Sequence, residues 1–119
     1  MKVLIADPLS EKALEILKAA NLEADVKTGL KGEELEAIIG DYDALVVRSA
    51  TKATKSIIDK GAKLRVIGRA GIGVDNVDVA AATEKGVVVM NTPQGNALAA
   101  AEHAIALMFA AARKVAMAD

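Results

Sequence analysis

The chain has no cysteine, a single histidine and aromatic residues at only 2% of its length. Without cysteine there is no disulfide, no thiolate metal ligand and no thiol nucleophile. So few rings leave little to stack on bases or on a flavin. The core must therefore be aliphatic. An excess of one charge is missing too: 15 Lys and Arg face 16 Asp and Glu, for a formal net charge of -1. That balance offers no basic footprint for nucleic acid and none for an anionic membrane surface. No apolar run extends for about 18 residues without a charge, so no spanning helix is expected. No signal peptide precedes the first apolar run, which points to the cytoplasm. The lone histidine, His103, neighbours Glu102. Adjacent helical residues diverge by about 100°, so the two do not face each other. With no second histidine and no serine placed for it, His103 is read neither as catalytic nor as a metal ligand, and no metal is expected.

What is present alternates. At 119 residues the chain is long enough for one domain with a buried core. Short apolar runs at residues 2–6, 44–47, 64–67 and 87–90 read as strands buried on both faces, and 22–27 as a weaker outer strand. Between them lie helical patterns. Ser10 caps one with Ala13, Leu14, Leu17 and Ala20 at helical spacing. Leu35, Ile38 and Ile39 share a face of a second, which Gly40 is placed to terminate. Thr54 caps a third that carries Ile57 and Ile58 inward and closes at Gly61. Asn76 is placed to cap a fourth running through Ala80 and Ala81 to Gly86, and Asn96 opens a long alanine-rich helix. This alternation predicts an α/β fold: a flavodoxin-like five-stranded parallel sheet, strand order 2-1-3-4-5, with helices on both faces.

In such a sheet ligands gather at the carboxyl ends of the strands. Those positions hold Asp7, Arg48-Ser49, Arg69-Ala70-Gly71 and Asn91-Thr92. The stretch from Leu64 to Asn76 dominates, because Gly68, Gly71 and Gly73 surround Arg69. Glycines leave backbone N–H groups uncovered, and an anion arriving there would meet them together with a guanidinium fork. On spacing alone a plain turn with a solvated Arg69 stands beside this anion-loop reading. A dinucleotide fingerprint does not, because the order is G-x-x-G-x-G rather than G-x-G-x-x-G and no acidic residue ends a strand about 20 residues on. Arg48 has a bland alternative in an ion pair with Asp41 or Asp43, and Asn91-Thr92-Pro93 one in a simple turn. Asp7 is read as structural, either capping the first helix or holding Arg48. A phosphoacceptor receiver module, or another flavodoxin-like binding module, shares the strand order. A receiver wants paired carboxylates after the first strand, an aspartate ending the third and a lysine ending the fifth. Here stand one aspartate, Arg48 and Met90-Asn91.

Three motifs in order carry a resemblance: Val46-Val47-Arg48-Ser49-Ala50-Thr51-Lys52, then Val66-Ile67-Gly68-Arg69-Ala70-Gly71-Ile72-Gly73-Val74-Asp75-Asn76-Val77-Asp78, then Asn91-Thr92-Pro93-Gln94-Gly95-Asn96 with Ala101-Glu102-His103. The chain resembles the NAD-dependent D-2-hydroxyacid dehydrogenases along its whole length. The resemblance implies a flavodoxin-like substrate-binding domain over residues 1–95. Residues 96–119 would be the helix that crosses to an NAD-binding domain. It implies that Arg48, Ser49 and Arg69 meet the phosphate or carboxylate of a small phosphorylated hydroxy acid. The Ala70 and Gly71 amides would cradle the carboxylate, with Asn91 near the reacting end. Ile72 stands where some relatives carry threonine near the cofactor, and Thr92 is the other cofactor-proximal residue. The family's G-x-G-x-x-G loop and its catalytic arginine, glutamate and histidine are expected beyond this stretch. No NAD is therefore expected on these residues alone, nor any turnover. A crossover helix with apolar residues on more than one face further implies self-association of the chain through that helix.

Overall fold

The computed structural model describes residues 1–71, 73–92 and 102–111. Five short strands, β1 (Lys2–Ile5), β2 (Glu23–Val26), β3 (Ala44–Val47), β4 (Val66–Arg69) and β5 (Val88–Asn91), form one sheet in the order β2-β1-β3-β4-β5. Every pairing is parallel. This is the flavodoxin-like order that the alternation predicts.

The period-two alternation of strand side chains sorts the core into two layers. Leu4, Leu45, Val47 and Ile67 face one side and pack with residues of α2 (Gly32–Ile38), α3 (Lys55–Lys60) and α4 (Val79–Lys85). Val3, Ile5, Ala44 and Val46 face the other, against α1 (Glu11–Ala19) and the helical residues 102–111. Both faces are thus covered. Within the last helix Ile105, Ala106 and Phe109 are buried on the chain's own sheet, while Leu107 is exposed. The expected 95/96 boundary lies outside the described residues, as do residues 96–101 and 112–119 of the expected crossover helix.

Caps follow local chemistry at α1 and α3. The Ser10 hydroxyl accepts from Ala13 N–H, and the Thr54 hydroxyl accepts from Ile57 N–H. Elsewhere the structure corrects the sequence reading. β4 begins at Val66, not at residue 64, because register with β3 sets Ala44 opposite Val66 and Val47 opposite Arg69. Leu64 is buried in the turn before it, its N–H donating to Gly61 O. Gly40 does not end α2 in a left-handed cap. The chain tightens there into a 3-10 turn, Ile39–Asp41, which keeps Ile39 buried. A Cβ on Gly40 would stand 3.2 Å from Lys60 O, so this glycine serves the close approach of α3.

Gly68 is likewise no turn residue. It lies within β4, where a Cβ would stand 3.0 Å from both Ile105 and Phe109. The missing side chain is what lets the helix of residues 102–111 seat on the sheet. Finally, Asn76 does not cap α4. Asp78 does, accepting from Ala81 N–H, and Gly86 closes the helix in a left-handed conformation.

Candidate functional site

Because all five strands run parallel, their carboxyl ends share one edge. β1 and β3 are neighbours there, yet their following helices lie on opposite faces, which opens a crevice at that point. Asp7 sits in it, 3% exposed. One carboxylate oxygen accepts from Arg48 N–H at 2.6 Å and Thr51 N–H at 3.1 Å, and the other from the Thr51 hydroxyl at 2.6 Å. A buried carboxylate with three donors is satisfied and stiffens the loop that supplies them. Asp7 thus holds Arg48 through its backbone and leaves the cap of α1 to Ser10.

The Arg48 side chain turns toward the α1 face. Its Nη1 donates to Pro8 O at 2.8 Å and lies 3.7 Å from Glu102. Glu102 is only 4% exposed, and its other oxygen accepts from Ser10 N–H. The alternative ion pair with Asp41 or Asp43 does not form. Those residues precede the amino end of β3 while Arg48 follows its carboxyl end, and a four-residue strand separates such positions by roughly 13 Å. Asp43 instead accepts from Lys2 N–H at 2.8 Å. Glu102 escaped the sequence reading because 54 residues separate it from Arg48 with no periodic relation.

Arg69 ends β4 beside Arg48, since its Cα partner is Val47. Strand parity sends the two arginines off opposite faces, so they frame the edge from two sides. Arg69 Nε donates to Asn76 Oδ1 at 3.1 Å, and its Nη1 lies over Gly71, in the space that a Cβ would fill. Among the described residues Arg69 has no carboxylate partner. The expected bare amides are engaged. Ala70 N–H donates to Val47 O at 2.9 Å, and Gly71 N–H to the Thr92 hydroxyl at 3.0 Å. Thr92, buried, returns its own N–H to Gly71 O. Asn91 lies opposite Arg69 at the end of β5, and Ser49 is exposed beyond Arg48. Ile72 lies outside the described residues.

The edge therefore presents two guanidinium groups, a hydroxyl and an amide, which suits an acid with anionic groups and polar oxygens. A groove of about 480 Å³ beside the Thr51 loop is lined by Glu33 and Glu36 as well as Lys52 and carries neither arginine, so its charge suits an acid poorly. Among the described residues no group of three His, Cys, Asp or Glu side chains is placed to hold a metal. His103 is half-buried on the helix of residues 102–111. Nor do these residues fit the pyrophosphate of NAD. Of the three glycines, Gly68 is filled from above by Ile105 and Phe109, and the amides at 70 and 71 are already paired.

Residues 3–118 match the D-isomer specific 2-hydroxyacid dehydrogenase catalytic domain. The D-3-phosphoglycerate dehydrogenase of Archaeoglobus fulgidus is 53% identical over 119 residues, all of this chain and 23% of that protein. The protein of that name from Sus scrofa is 50% identical over 96% of the chain and 21% of its own length. The chain thus spans about a quarter or less of these relatives. Among solved structures, the TT0316 protein of Thermus thermophilus superposes with a TM-score of 0.74 at 33% identity, over 99% of this chain and 39% of that one. An NAD+-bound 3-phosphoglycerate dehydrogenase from Entamoeba histolytica gives 0.71 at 37% identity, over 77% and 32%. With a family match across nearly its whole length and the same fold in its structural relatives, this chain belongs to the D-isomer specific 2-hydroxyacid dehydrogenases.

Proposed function

We propose that this chain is the substrate-binding part of a D-3-phosphoglycerate dehydrogenase, the enzyme that oxidises 3-phospho-D-glycerate with NAD at the entry to serine biosynthesis. The observation that carries this reading is the placement of Arg48 and Arg69 at the carboxyl ends of adjacent parallel strands, one on each side of the edge. A substrate with a phosphate at one end and a carboxylate at the other asks for two such groups. Ser49 and Asn91 lie on the same edge and serve the substrate's remaining oxygens, while the Ala70 and Gly71 amides, held by Val47 and Thr92, shape the edge rather than cradle the acid. In this reading Ile72 and Thr92 border the cofactor, which is held by a part of the enzyme that this chain does not contain. The carboxylates at this edge, Asp7 and Glu102, are already engaged by Arg48, Thr51 and Ser10 and are not set to serve hydride transfer as a base, so in this reading the chain by itself binds acid and does not turn it over. The enzyme works in the cytoplasm, and the exposed Leu107 next to the buried face of its helix favours self-association, read as a mass that rises with concentration in light scattering.

Titration of the isotopically labelled chain with 3-phosphoglycerate tests the reading. Backbone amide shifts should concentrate at residues 48–51, 69–71 and 91–92. Shifts confined to the groove beside Glu33 and Glu36, or none at all, would contradict it.

A further inference from the structure

We infer that Asn76 is a positioning residue for the acid site, a single carboxamide that fixes the two arginines relative to each other. Its Nδ2 donates to Arg48 O at 2.6 Å and to Thr51 O at 2.7 Å, and its Oδ1 accepts from Arg69 Nε at 3.1 Å. The orientation of the amide follows from its neighbours. Reversed, it would set its NH2 against an N–H donor and its oxygen against two carbonyls. Arg48 is therefore gripped from both sides of its peptide units, by Asp7 on the N–H and by Asn76 on the carbonyl. Arg69 is gripped at Nε, which fixes the plane of its guanidinium and leaves the two Nη groups to meet a ligand.

The Asn76 backbone is anchored without its side chain. Its carbonyl accepts Ala53 N–H at 2.8 Å, and a parallel bridge joins Ala53 to Val77. Truncating the side chain therefore leaves the loop in place and loosens only what the carboxamide holds. The inference rests on the reading of Arg48 and Arg69 as the acid site. It adds that their spacing is set by a third residue, which touches neither the phosphate nor the carboxylate.

Two ligands separate positioning from simple support. Inorganic phosphate needs one guanidinium wherever it stands, whereas 3-phosphoglycerate needs two at a fixed separation. Asn76→Ala should weaken 3-phosphoglycerate by about tenfold or more and phosphate by less than about threefold. In the unmodified chain the Arg69 Nε–H resonance should exchange slowly with water. That protection should be lost in Asn76→Ala. Rapid exchange of Arg69 Nε–H in the unmodified chain overturns the inference, even if Asn76→Ala fails to fold. So does an Asn76→Ala chain that binds 3-phosphoglycerate normally, or that loses both ligands equally. If the unmodified chain binds neither ligand, the acid-site reading falls and takes the inference with it. Normal binding with an indifferent Asn76→Ala removes the positioning role alone.

Discussion

Arg48 and Arg69 differ in what they hold when no substrate is present. Arg48 is the partner of Glu102, a carboxylate buried under the start of α1, whereas Arg69 has an amide and no carboxylate partner among the described residues. Losing either guanidinium should remove a charge-assisted contact worth about 1.5–3 kcal/mol, or one to two powers of ten in substrate affinity. Their effects on the fold should diverge. Arg48→Ala strands Glu102 with Ser10 N–H alone and should lower stability by about 1–3 kcal/mol, while Arg69→Ala should leave it nearly unchanged. Urea unfolding of both variants beside a substrate titration measures the two effects; equal stability losses would show that the Glu102 pairing contributes nothing. Both arginines are legible in the sequence because each follows a short apolar run that ends at the carboxyl edge. Asn76 is not, because the same carboxamide that suits a helix cap also suits a bridge. Its partners stand 7, 25 and 28 residues away with no period to announce them.

At the scale of elements, the helix of residues 102–111 depends on a glycine in a strand. Ile105 and Phe109 are 1% and 0% exposed, and both sit where a Cβ at Gly68 would reach. Gly68→Ala should overpack this contact at a cost of about 1–3 kcal/mol. Amide exchange should rise first in residues 102–111 rather than in β4, and uniform acceleration across the sheet would contradict that placement. The order and type of the elements follow from the sequence because apolar runs of strand length alternate with capped helical patterns. Strand ends are set instead by pairing. The shift of β4 to Val66–Arg69 comes from its register with β3, and the role of Gly68 from a ring 41 residues away. Neither is a local property of the stretch that shows it.

At the scale of the whole molecule, the titration of Tyr42 bears on stability. Tyr42, the only tyrosine, is 2% exposed and donates to Asp25 at 2.8 Å, with Lys2 Nζ 5.1 Å from its ring centroid. Burial, the hydrogen bond to Asp25 and the charges of Asp25 and Asp41 push its hydroxyl up to about 12 from 10.0. The fold thus favours the protonated phenol. Its contribution, on the order of 2 kcal/mol, is fully present below the unfolded value and is lost as pH rises from 10 through about 12. Tyr42→Phe should flatten the fall in stability across that window, and an unchanged slope would remove Tyr42 as its cause. This cluster lies among residues of β1 and β2 and the turn before β3, away from the carboxyl edge, so the substitution should leave acid binding intact.

That division between a stable sheet and a charged carboxyl edge leads to the central proposal, that this chain binds the acid and does not bind the dinucleotide. Paired calorimetric titrations with 3-phosphoglycerate and with NAD test it most directly. The account predicts heat from the acid that weakens as salt is raised, as expected for guanidinium contacts, and none from NAD. Binding of NAD, or silence toward the acid at low salt, would contradict it.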